Sequence, residues 1–372
     1  MKSTKIAIDI RMWKHAGIGR YIQELVKHLL MTPQNQELIL LGNQNFKNEL
    51  SQTLGKEKFV FRNLNSKIYG VGEQWEVPAH SKDADLLHVP HFNFPVFTKQ
   101  KMIVTIHDLI YLHSREGGLG TLGKAYVSWL FKALQRKRHF ILTVSEATKT
   151  ELLNFFPKIS PERIFVTPEA ASPLFKKVGD KTSLEDTKQK FSLTKPFVLF
   201  VGSLKIHKNV PTLVEAMVRL KKKNGLDHEL VLVGRTDPKN KGLLSLLESH
   251  RFVRRLGELN DLELCHLYNL AETFVLPSFR EGFGLPVLEA MACGCAVIAS
   301  NNSSLPEIVA DAGLLFNPSE IDALSDVLYN VLSNNELREK MSEKGLLRAG
   351  LFSWKKTARL TREVYQKALN ES

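Results

Sequence analysis

Short apolar runs alternate with longer amphipathic stretches along the whole chain. In the first half, the apolar runs predict strands at residues 5–10, 38–41, 59–61, 86–89, 102–106, 140–144 and 164–166. The amphipathic stretch at residues 18–31 predicts a helix, because its apolar side chains return with the helical period. Strands that alternate with helices in this way form parallel sheets with helices on both faces.

A second alternation follows a polar, charged stretch at residues 176–195. It predicts further strands at residues 197–201, 229–233, 252–256, 274–276, 296–299 and 314–316. A chain of 372 residues also exceeds what one hydrophobic core usually organises. We therefore predict the α/β class with two doubly wound parallel-sheet domains, at residues 1–175 and 190–353. The boundary is expected within residues 172–195, and a last amphipathic helix begins at residue 354.

The composition predicts a cytosolic protein. Hydrophobic residues make up 43% of the chain, and no apolar run approaches the ~20 residues of a membrane-spanning helix. A strand begins within a few residues of Met1, which leaves no room for a signal peptide. Three cysteines, Cys265, Cys293 and Cys295, lack the spacing of a disulfide framework or a zinc site. We expect reduced thiols, with Cys293 and Cys295 as small buried side chains.

Positive charge is concentrated in the first half of the chain. Residues 1–178 hold 25 lysines and arginines against 15 aspartates and glutamates, whereas residues 179–372 hold 26 against 24. The basic cluster 136–138, beside the apolar stretch 126–134 with Trp129, suggests peripheral contact with an anionic membrane and a lipid-linked acceptor. A solvated basic face is the alternative. No nucleic-acid-binding signature accompanies the charge, so we expect no nucleic-acid partner.

The chemically most informative segment is residues 281–289, which reads EGFGLPVLE. It predicts a glycine-bearing loop after the strand at 274–276 and a helix that begins at Pro286. Free amide groups at a helix start favour an anionic or hydroxyl-rich ligand, and glycines let it approach the main chain. Glu281 stands before the helix and Glu289 one turn inside it. Two carboxylates at different depths suit a ligand with hydroxyls at both ends.

This segment, with Ser303-Ser-Leu-Pro-Glu307 after it, closely resembles the E-x(7)-E signature of glycosyltransferase family 4. The resemblance implies the GT-B architecture, in which two Rossmann-like domains face each other across a cleft and the last helix packs back on the first domain. It further implies that Glu281 contacts the donor sugar and Glu289 the ribose hydroxyls. The intervening donor-site residues are Gly282, Phe283, Gly284 and Leu285.

Two further loops are candidates for binding the donor diphosphate. Gly17 and Gly19, in the string GIGRY, are similar to the family's phosphate loop. The loop does not match a dinucleotide fingerprint, because Ile22 holds the place of the third glycine. In the second loop, Lys208 matches the family's phosphate-binding lysine, but the companion arginine is missing. Ser203 and His207 hold its two usual positions, and Lys205 or His207 could compensate; lysines merely solvated in a turn are the alternative.

His107 and Asp108 follow the strand at 102–106, where a parallel sheet presents residues to ligands. Position alone leaves a structural role equally open for His107. The resemblance implies that it approaches the donor sugar and the reacting centre, with Asp108 orienting it. His88 and His91 are candidates to line the acceptor pocket, with turn packing as the alternative. Glu258 and Leu259 resemble the loop that meets the nucleotide base, and Ser145 is predicted to cap a helix.

These residues predict a retaining glycosyltransferase that uses a nucleotide-diphosphate sugar. We expect Lys208, Glu281 and His107 to carry catalysis, without a cofactor or metal ion. The resemblance favours same-face attack over a covalent intermediate. The loop around Lys208 resembles bacterial mannosyltransferases of surface-polysaccharide assembly, which suggests GDP-mannose as donor and a glycan or lipid-linked saccharide as acceptor. The alternatives are a nucleotide-sugar epimerase of the same fold and a non-catalytic basic binding protein.

Overall fold

The structure, a computed structural model, describes residues 3–31, 36–55, 58–113, 120–137, 139–236 and 241–371. The chain divides into two compact units. The first unit comprises Met1–Glu169 together with Trp354–Ser372, and the second comprises Ala170–Ser353. Among the described residues, no helix combines the length and the hydropathy that a membrane crossing requires.

The first unit is built on a seven-stranded sheet in which all paired strands are parallel. Its strands are β1 (Thr4–Asp9), β2 (Gln36–Gly42), β3 (Val60–Asn63), β4 (Leu86–Val89), β5 (Met102–Ile106), β6 (Phe140–Thr143) and β7 (Ile164–Val166). Its helices within residues 1–169 are α1 (Ala16–Met31), α2 (Lys47–Leu54), α3 (Glu73–Ser81), α4 (Thr121–Arg136) and α5 (Glu146–Phe155). The strand order is β3-β2-β1-β4-β5-β6-β7, so the direction of winding reverses between β1 and β4.

The second unit repeats this plan with a six-stranded parallel sheet. Its strands are β8 (Phe197–Val201), β9 (Glu229–Val233), β10 (Val253–Gly257), β11 (Thr273–Leu276), β12 (Val297–Ser300) and β13 (Leu314–Phe316). Its helices are α6 (Lys181–Lys190), α7 (Val210–Asn224), α8 (Lys241–Glu248), α9 (Asp261–Leu270), α10 (Leu285–Ala292), α11 (Leu305–Val309), α12 (Ile321–Ser333) and α13 (Asn335–Gly350). The order β10-β9-β8-β11-β12-β13 reverses between β8 and β11.

In the described part of the chain, every predicted strand is present and each of its ends lies within two residues of the prediction. The strands were readable because β1, β4, β5 and β8 are buried on both faces, which requires nearly continuous apolar residues. Helix α5 begins where predicted, since the Ser145 hydroxyl accepts a hydrogen bond from the Thr148 amide at 3.0 Å. Both Cys293 and Cys295 are buried and free, as expected.

The segment predicted as an interdomain linker is part of the second unit, which begins at Ala170. Phe175 is buried and its ring lies edge-on to Tyr268 at 5.9 Å. The Val178 amide donates to the Asn269 side chain at 2.8 Å, and α6 forms within the stretch. The predicted boundary at residues 172–195 is therefore wrong, because tertiary contacts anchor this polar segment to α9.

The last helix, α14 (Trp354–Asn370), belongs to the first unit. Tyr365 is fully buried and its hydroxyl lies 2.7 Å from Nδ1 of His88 on β4. The Thr357 hydroxyl donates to the Pro168 carbonyl at 2.5 Å. The C-terminal helix α14 thus completes the core of the first unit, which also contains the N-terminal strand β1.

Candidate active site

The two loops that follow β8 and β11 meet at the reversal point of the second sheet. The Phe279 amide donates to the His207 carbonyl at 2.8 Å, which joins the loops through their main chains. Nζ of Lys208 lies 2.6 Å from Oε1 of Glu281, and both side chains are largely buried. Open α/β sheets bind ligands outside the carboxyl ends of their strands at such reversal points. The structure therefore brings two predicted site residues together where a ligand is expected.

Serines hold the Glu281 loop in one conformation. The Ser278 hydroxyl donates to the Glu281 carboxylate at 2.5 Å, and the Glu281 amide donates to the Ser303 hydroxyl at 2.9 Å. The Ser304 hydroxyl lies within hydrogen-bonding distance of the carbonyls of Glu281 and Phe283. The SSLPE segment after β12 thus holds the main chain of the EGFG loop in place through hydrogen bonds.

Gly284 allows the loop to turn into α10. It adopts a left-handed φ of 104° as the N-cap residue, and a Cβ there would lie 2.8 Å from the side chain of Leu305. The helix begins at Leu285, so Pro286 is its second residue rather than its first. The side chains of Phe283 and Leu285 are buried, so these two residues can offer a ligand only their main chain. Amide groups at this helix start suit an anionic or hydroxyl-rich ligand.

Glu289 lies inside α10 and is only 4% exposed. Its Oε2 accepts a hydrogen bond from the Tyr268 hydroxyl at 3.2 Å. Tyr268 is fully buried on α9, where no motif in the sequence marks it as a site residue. The contact of Glu289 with a ribose stays a prediction.

The structure separates the two residues considered as substitutes for the missing arginine. His207 is buried, and burial together with the charge of Lys208 lowers its pKa to about 4. At this pKa the ring is neutral at pH 7 in the ligand-free protein. Compensation for the missing arginine by Lys205 or His207 stays a prediction. Lys205 is exposed before the 3-10 turn Ile206–Lys208, and Ser203 is half-buried beside it.

The predicted base-contact loop follows β10. Glu258 is exposed and pairs with the guanidinium of Arg235 at 3.1 Å, while Leu259 is half-buried. Because both charged side chains face solvent, this ion pair contributes little to stability. A role in contacting the nucleotide base stays a prediction for these two residues.

In the first unit, His107 is held by partners that the sequence did not indicate. Its Nδ1 lies 3.2 Å from the carboxylate of Glu169, its Nε2 lies 3.0 Å from the Pro90 carbonyl, and Tyr21 packs edge-on at 4.8 Å. The Asp108 carboxylate accepts a hydrogen bond from the Ile110 amide. Glu169 rather than Asp108 therefore orients the ring. The signal for Glu169 was its place just beyond a predicted strand, the same criterion that selected His107.

His88 does not line a pocket. It is fully buried, its two ring nitrogens lie within 2.8 Å of the hydroxyls of Tyr365 and Thr105, and burial lowers its pKa to about 3. The acceptor role predicted for it is wrong, because the protein uses both nitrogens internally. His91 is also buried, and its Nδ1 accepts a hydrogen bond from the Asn93 amide at 3.1 Å.

The glycines of the first loop lie inside α1, which begins at Ala16. A Cβ on Gly19 would lie 2.6 Å from the Trp13 carbonyl, so close packing alone requires glycine there. Gly17 has open space around it. Contact of either glycine with a diphosphate stays a prediction.

A buried ionic network lies at the reversal point of the first sheet. Arg11, just beyond β1, pairs with Asp9 at 2.6 Å and with Glu73 at 2.9 Å. Burial raises the pKa of Glu73, although Arg11 opposes the shift. Glu73 also accepts a hydrogen bond from Asn93, which follows β4. No motif in the sequence marks this network, although Asp9 and Arg11 stand at the end of a predicted strand.

The Asp-x-Asp triplet at Asp83-Ala-Asp85, a spacing that suits metal binding, lies at the opposite edge of the sheet, before β4. Asp83 pairs with Arg62, and Asp85 accepts a hydrogen bond from the Lys5 amide at 2.8 Å. Both carboxylates therefore serve the fold. Among the described residues, no group of three His, Cys, Asp or Glu side chains is arranged to hold a metal ion.

Comparisons with known proteins agree with this geometry. Family models described as Glycosyltransferase Family 4 and as Glycosyl transferases group 1 match residues 15–171 and 182–348. The chain is similar to the O-antigen chain mannosyltransferase B of Escherichia coli, with 31% identity over 94% of this chain and 96% of that protein. It is 30% identical to the serotype-specific mannosyltransferase WbdA of Escherichia coli over 78% of this chain, which spans about a third (36%) of that longer protein.

A solved glycosyltransferase structure from Rickettsia africae has the same fold, with a TM-score of 0.78, 19% identity and full coverage of both chains. The two Rossmann-like sheets therefore have the GT-B fold that the resemblance implied. The similarity to the O-antigen mannosyltransferase extends over both units. The chain belongs to glycosyltransferase family 4 and is a glycosyltransferase.

Proposed function

We propose that this glycosyltransferase is a retaining mannosyltransferase that uses GDP-mannose and a glycan or lipid-linked saccharide acceptor. The contact between Lys208 and Glu281 carries the proposal, because it pairs a cation for phosphate with a carboxylate for sugar hydroxyls at one reversal point. The names of the two Escherichia coli relatives support mannose as the transferred sugar. A nucleotide-sugar epimerase and a non-catalytic binding protein have no such support.

In the proposed reaction, the bond between the anomeric carbon and the diphosphate oxygen breaks while an acceptor oxygen attacks the same face. The departing phosphate oxygen takes the proton of the acceptor hydroxyl, so that charge and atoms balance. Lys208 and the amides at the start of α10 stabilise the negative charge that develops on the leaving group. Glu281 holds the donor sugar. The catalytic role that the family resemblance implies for His107, whose ring is oriented by Glu169, is part of the same proposal.

A thermal-shift panel of GDP-, UDP- and dTDP-sugars tests the donor. A ligand present at 100 times its dissociation constant stabilises the native state by about 2.7 kcal/mol, which raises the unfolding midpoint. We expect GDP-mannose to give the largest shift and Glu289→Gln to weaken it. A larger shift with a UDP-sugar would reassign the donor, and no shift with any donor would contradict the proposed donor site.

The configuration of the product tests retention. We expect proton NMR of the product formed from GDP-α-mannose to show an α linkage from the first turnover. A β linkage would establish inversion and contradict same-face attack.

We also propose that transfer proceeds without a metal ion, since Lys208 and the amide groups at the start of α10 can stabilise the negative charge of the leaving group. The rate should stay within about twofold when the enzyme is dialysed against EDTA and when Mg²⁺ or Mn²⁺ is then added. A rate that collapses with EDTA and returns with Mn²⁺ would overturn this proposal.

Peripheral membrane contact is proposed through exposed aromatic rings of the first unit. Trp75, Phe97 and Trp129 are 59%, 64% and 41% exposed, and their rings form a chain with centroid distances of 6.3 and 6.2 Å. Lys132 and Arg136 follow Trp129 on α4. Exposed aromatic side chains beside cations suit the interface of an anionic bilayer. Arg138, part of the basic cluster noted in the sequence, lies outside the described residues.

Sedimentation with vesicles tests this contact. We expect binding to vesicles that contain phosphatidylglycerol, and a reduction of at least tenfold for the Trp75→Ser/Phe97→Ser double variant. A matched control is Tyr329→Ser, which removes an exposed ring from the second unit. Equal binding of the double variant and the control would contradict the assigned surface.

A further inference from the structure

Two cysteine side chains that the proposed reaction does not use lie in contact inside the second unit. Cys265 is on α9 and Cys293 directly follows α10, and their Sγ atoms lie 3.8 Å apart. Both residues are buried and free. A disulfide joins its sulfur atoms at about 2.05 Å, so these two sulfurs need to approach by roughly 1.8 Å. We call Cys265 and Cys293 the thiol pair.

A surface segment covers the thiol pair on the side of Cys265. Sγ of Cys265 lies 3.4 Å from the carbonyl oxygen of Leu174 and 3.5 Å from that of Lys176. Leu174 is 39% exposed and Lys176 is exposed as well, so the sulfur lies directly beneath the main chain of a surface segment. A water-sized oxidant can therefore reach Cys265 after a local opening of this segment, while α9 and α10 stay folded.

The surroundings of Cys265 favour the reactive thiolate. Hydrogen bonds with the Cys293 sulfur and the main chain of Lys176 lower the pKa of Cys265 to about 6, although burial opposes the shift. The side-chain amide of Asn269 also donates to Sγ of Cys265 at 3.7 Å. Cys295 differs, since burial raises its pKa to about 12. Because the thiolate is the species that reacts with peroxides, Cys265 is the thiol that reacts first.

We propose that the thiol pair is an oxidative modification site, at which a peroxide closes a disulfide between Cys265 and Cys293. The Cys265 thiolate attacks one oxygen of hydrogen peroxide, the O–O bond breaks, and hydroxide leaves and takes up a proton, so that a sulfenic acid remains. The Cys293 sulfur then attacks the sulfenic sulfur. The S–S bond forms, the S–O bond breaks, and hydroxide leaves as water with the proton of Cys293. The two sulfurs lose two electrons, and the peroxide is reduced to two molecules of water.

The thiol pair joins the same two helices as the contact between Tyr268 and Glu289. Tyr268 lies one turn beyond Cys265 on α9, and Glu289 lies one turn before Cys293 on α10. The Tyr268 hydroxyl donates to the Glu289 carboxylate at 3.2 Å, so closure of the disulfide changes the spacing of the turns that make this contact. We therefore expect oxidation to displace Glu289 and to weaken donor binding. This consequence rests on the proposed function, whereas the disulfide itself does not.

Peptide mapping of the full chain tests the disulfide. The reduced protein is treated with hydrogen peroxide, its free thiols are blocked with iodoacetamide, and it is digested with trypsin without reduction. Arg280 lies between Cys265 and Cys293, so trypsin separates the two cysteines and the disulfide links their peptides. Cys293 and Cys295 stay in one peptide, so a bond between them gives no such link. The test variants are Cys265→Ala and Cys293→Ala, and the matched control is Cys295→Ala.

We expect linked peptides in the oxidised wild-type protein and in Cys295→Ala, none in the two test variants, and complete reversal by dithiothreitol. Oxidation should raise the donor KM of the wild-type protein at least about threefold and that of Cys265→Ala less than about 1.5-fold.

Absence of the link in the oxidised wild-type protein, or a bond confined to Cys293 and Cys295, would overturn the modification site. A disulfide that leaves the donor KM unchanged would overturn the coupling to Glu289. Mapping needs no substrate, so failure of the thiol pair is distinguishable from failure of the proposed function, which appears as inactivity of the reduced protein.

Discussion

Lys208 and Glu281 lie 73 positions apart in the chain and form the closest charged contact of the candidate donor site. Each largely buried charge compensates the other, so removal of one partner leaves the other uncompensated. In the proposed complex, the lysine faces the diphosphate and the carboxylate faces the sugar. The effect of the lysine on catalysis should therefore exceed that of any exposed lysine nearby.

Substitution of Lys208 tests this directly. We expect Lys208→Met to lower kcat/KM at least about 100-fold, since one charge on the leaving group is no longer stabilised. Lys205→Met, at an exposed neighbouring position, should change kcat/KM less than about threefold. Steady-state kinetics with varied donor measures both. Comparable losses in the two variants would contradict the assignment of Lys208.

Two variants distinguish which carboxylate, that of Glu169 or that of Asp108, orients the His107 ring. Glu169→Gln keeps the shape of the side chain but removes the charge beside Nδ1, so we expect kcat to fall about tenfold or more with little change in KM. Asp108→Asn should leave kcat within about threefold, since the Asp108 carboxylate bonds to the Ile110 amide. The reverse order of effects would restore Asp108 as the orienting residue.

Among the secondary structure elements, α10 depends most on one residue at its start. Gly284→Ala should lower the free energy of unfolding of the second unit by about 1–3 kcal/mol, because alanine at this φ is strained and its Cβ would meet Leu305. The matched control is Gly242→Ala in α8, where a Cβ meets open space and stability should not fall. Urea unfolding measures both, and equal stability of the two variants would refute the strain.

The local pattern predicted the strands well and α6 not at all. A buried parallel strand must be apolar along its length, so its residues identify it without knowledge of its neighbours. Helix α6 buries only Thr187, and its charged sequence resembles a linker. A local signal did exist, since Asp180 accepts a hydrogen bond from the Thr182 amide as a helix cap. Packing on α9 then decides that the segment belongs to the second unit.

Buried histidines make the whole molecule sensitive to acid. Burial lowers the pKa of His88 and His91 to about 3 and that of His207 to about 4, below the ordinary value near 6.5. Between those values the unfolded chain binds protons that the folded chain does not. The stabilisation is therefore complete above about pH 6.5 and is lost as the pH falls towards 4.

We expect the free energy of unfolding to fall by about 1 kcal/mol for each of these histidines between pH 7.5 and pH 5.5. Urea unfolding at the two pH values measures the difference. In the control His91→Asn, the amide oxygen can accept the hydrogen bond from Asn93 but does not titrate, so the difference should shrink by about 1 kcal/mol. An unchanged difference would contradict burial of a neutral His91.

The order of apolar and polar residues was sufficient for both parallel sheets, and the resemblance of short motifs to a known family supplied the GT-B fold and the loops that hold Lys208 and Glu281. These features depend on local periodicity and on short motifs, which are written in consecutive residues. Tertiary contacts assigned the other roles. Glu169 reaches His107 from 62 positions away, Tyr365 encloses His88 from the end of the chain, and burial removes the charge of His207. Desolvation and the partners of a side chain arise from residues distant in the chain, and no local pattern specifies them.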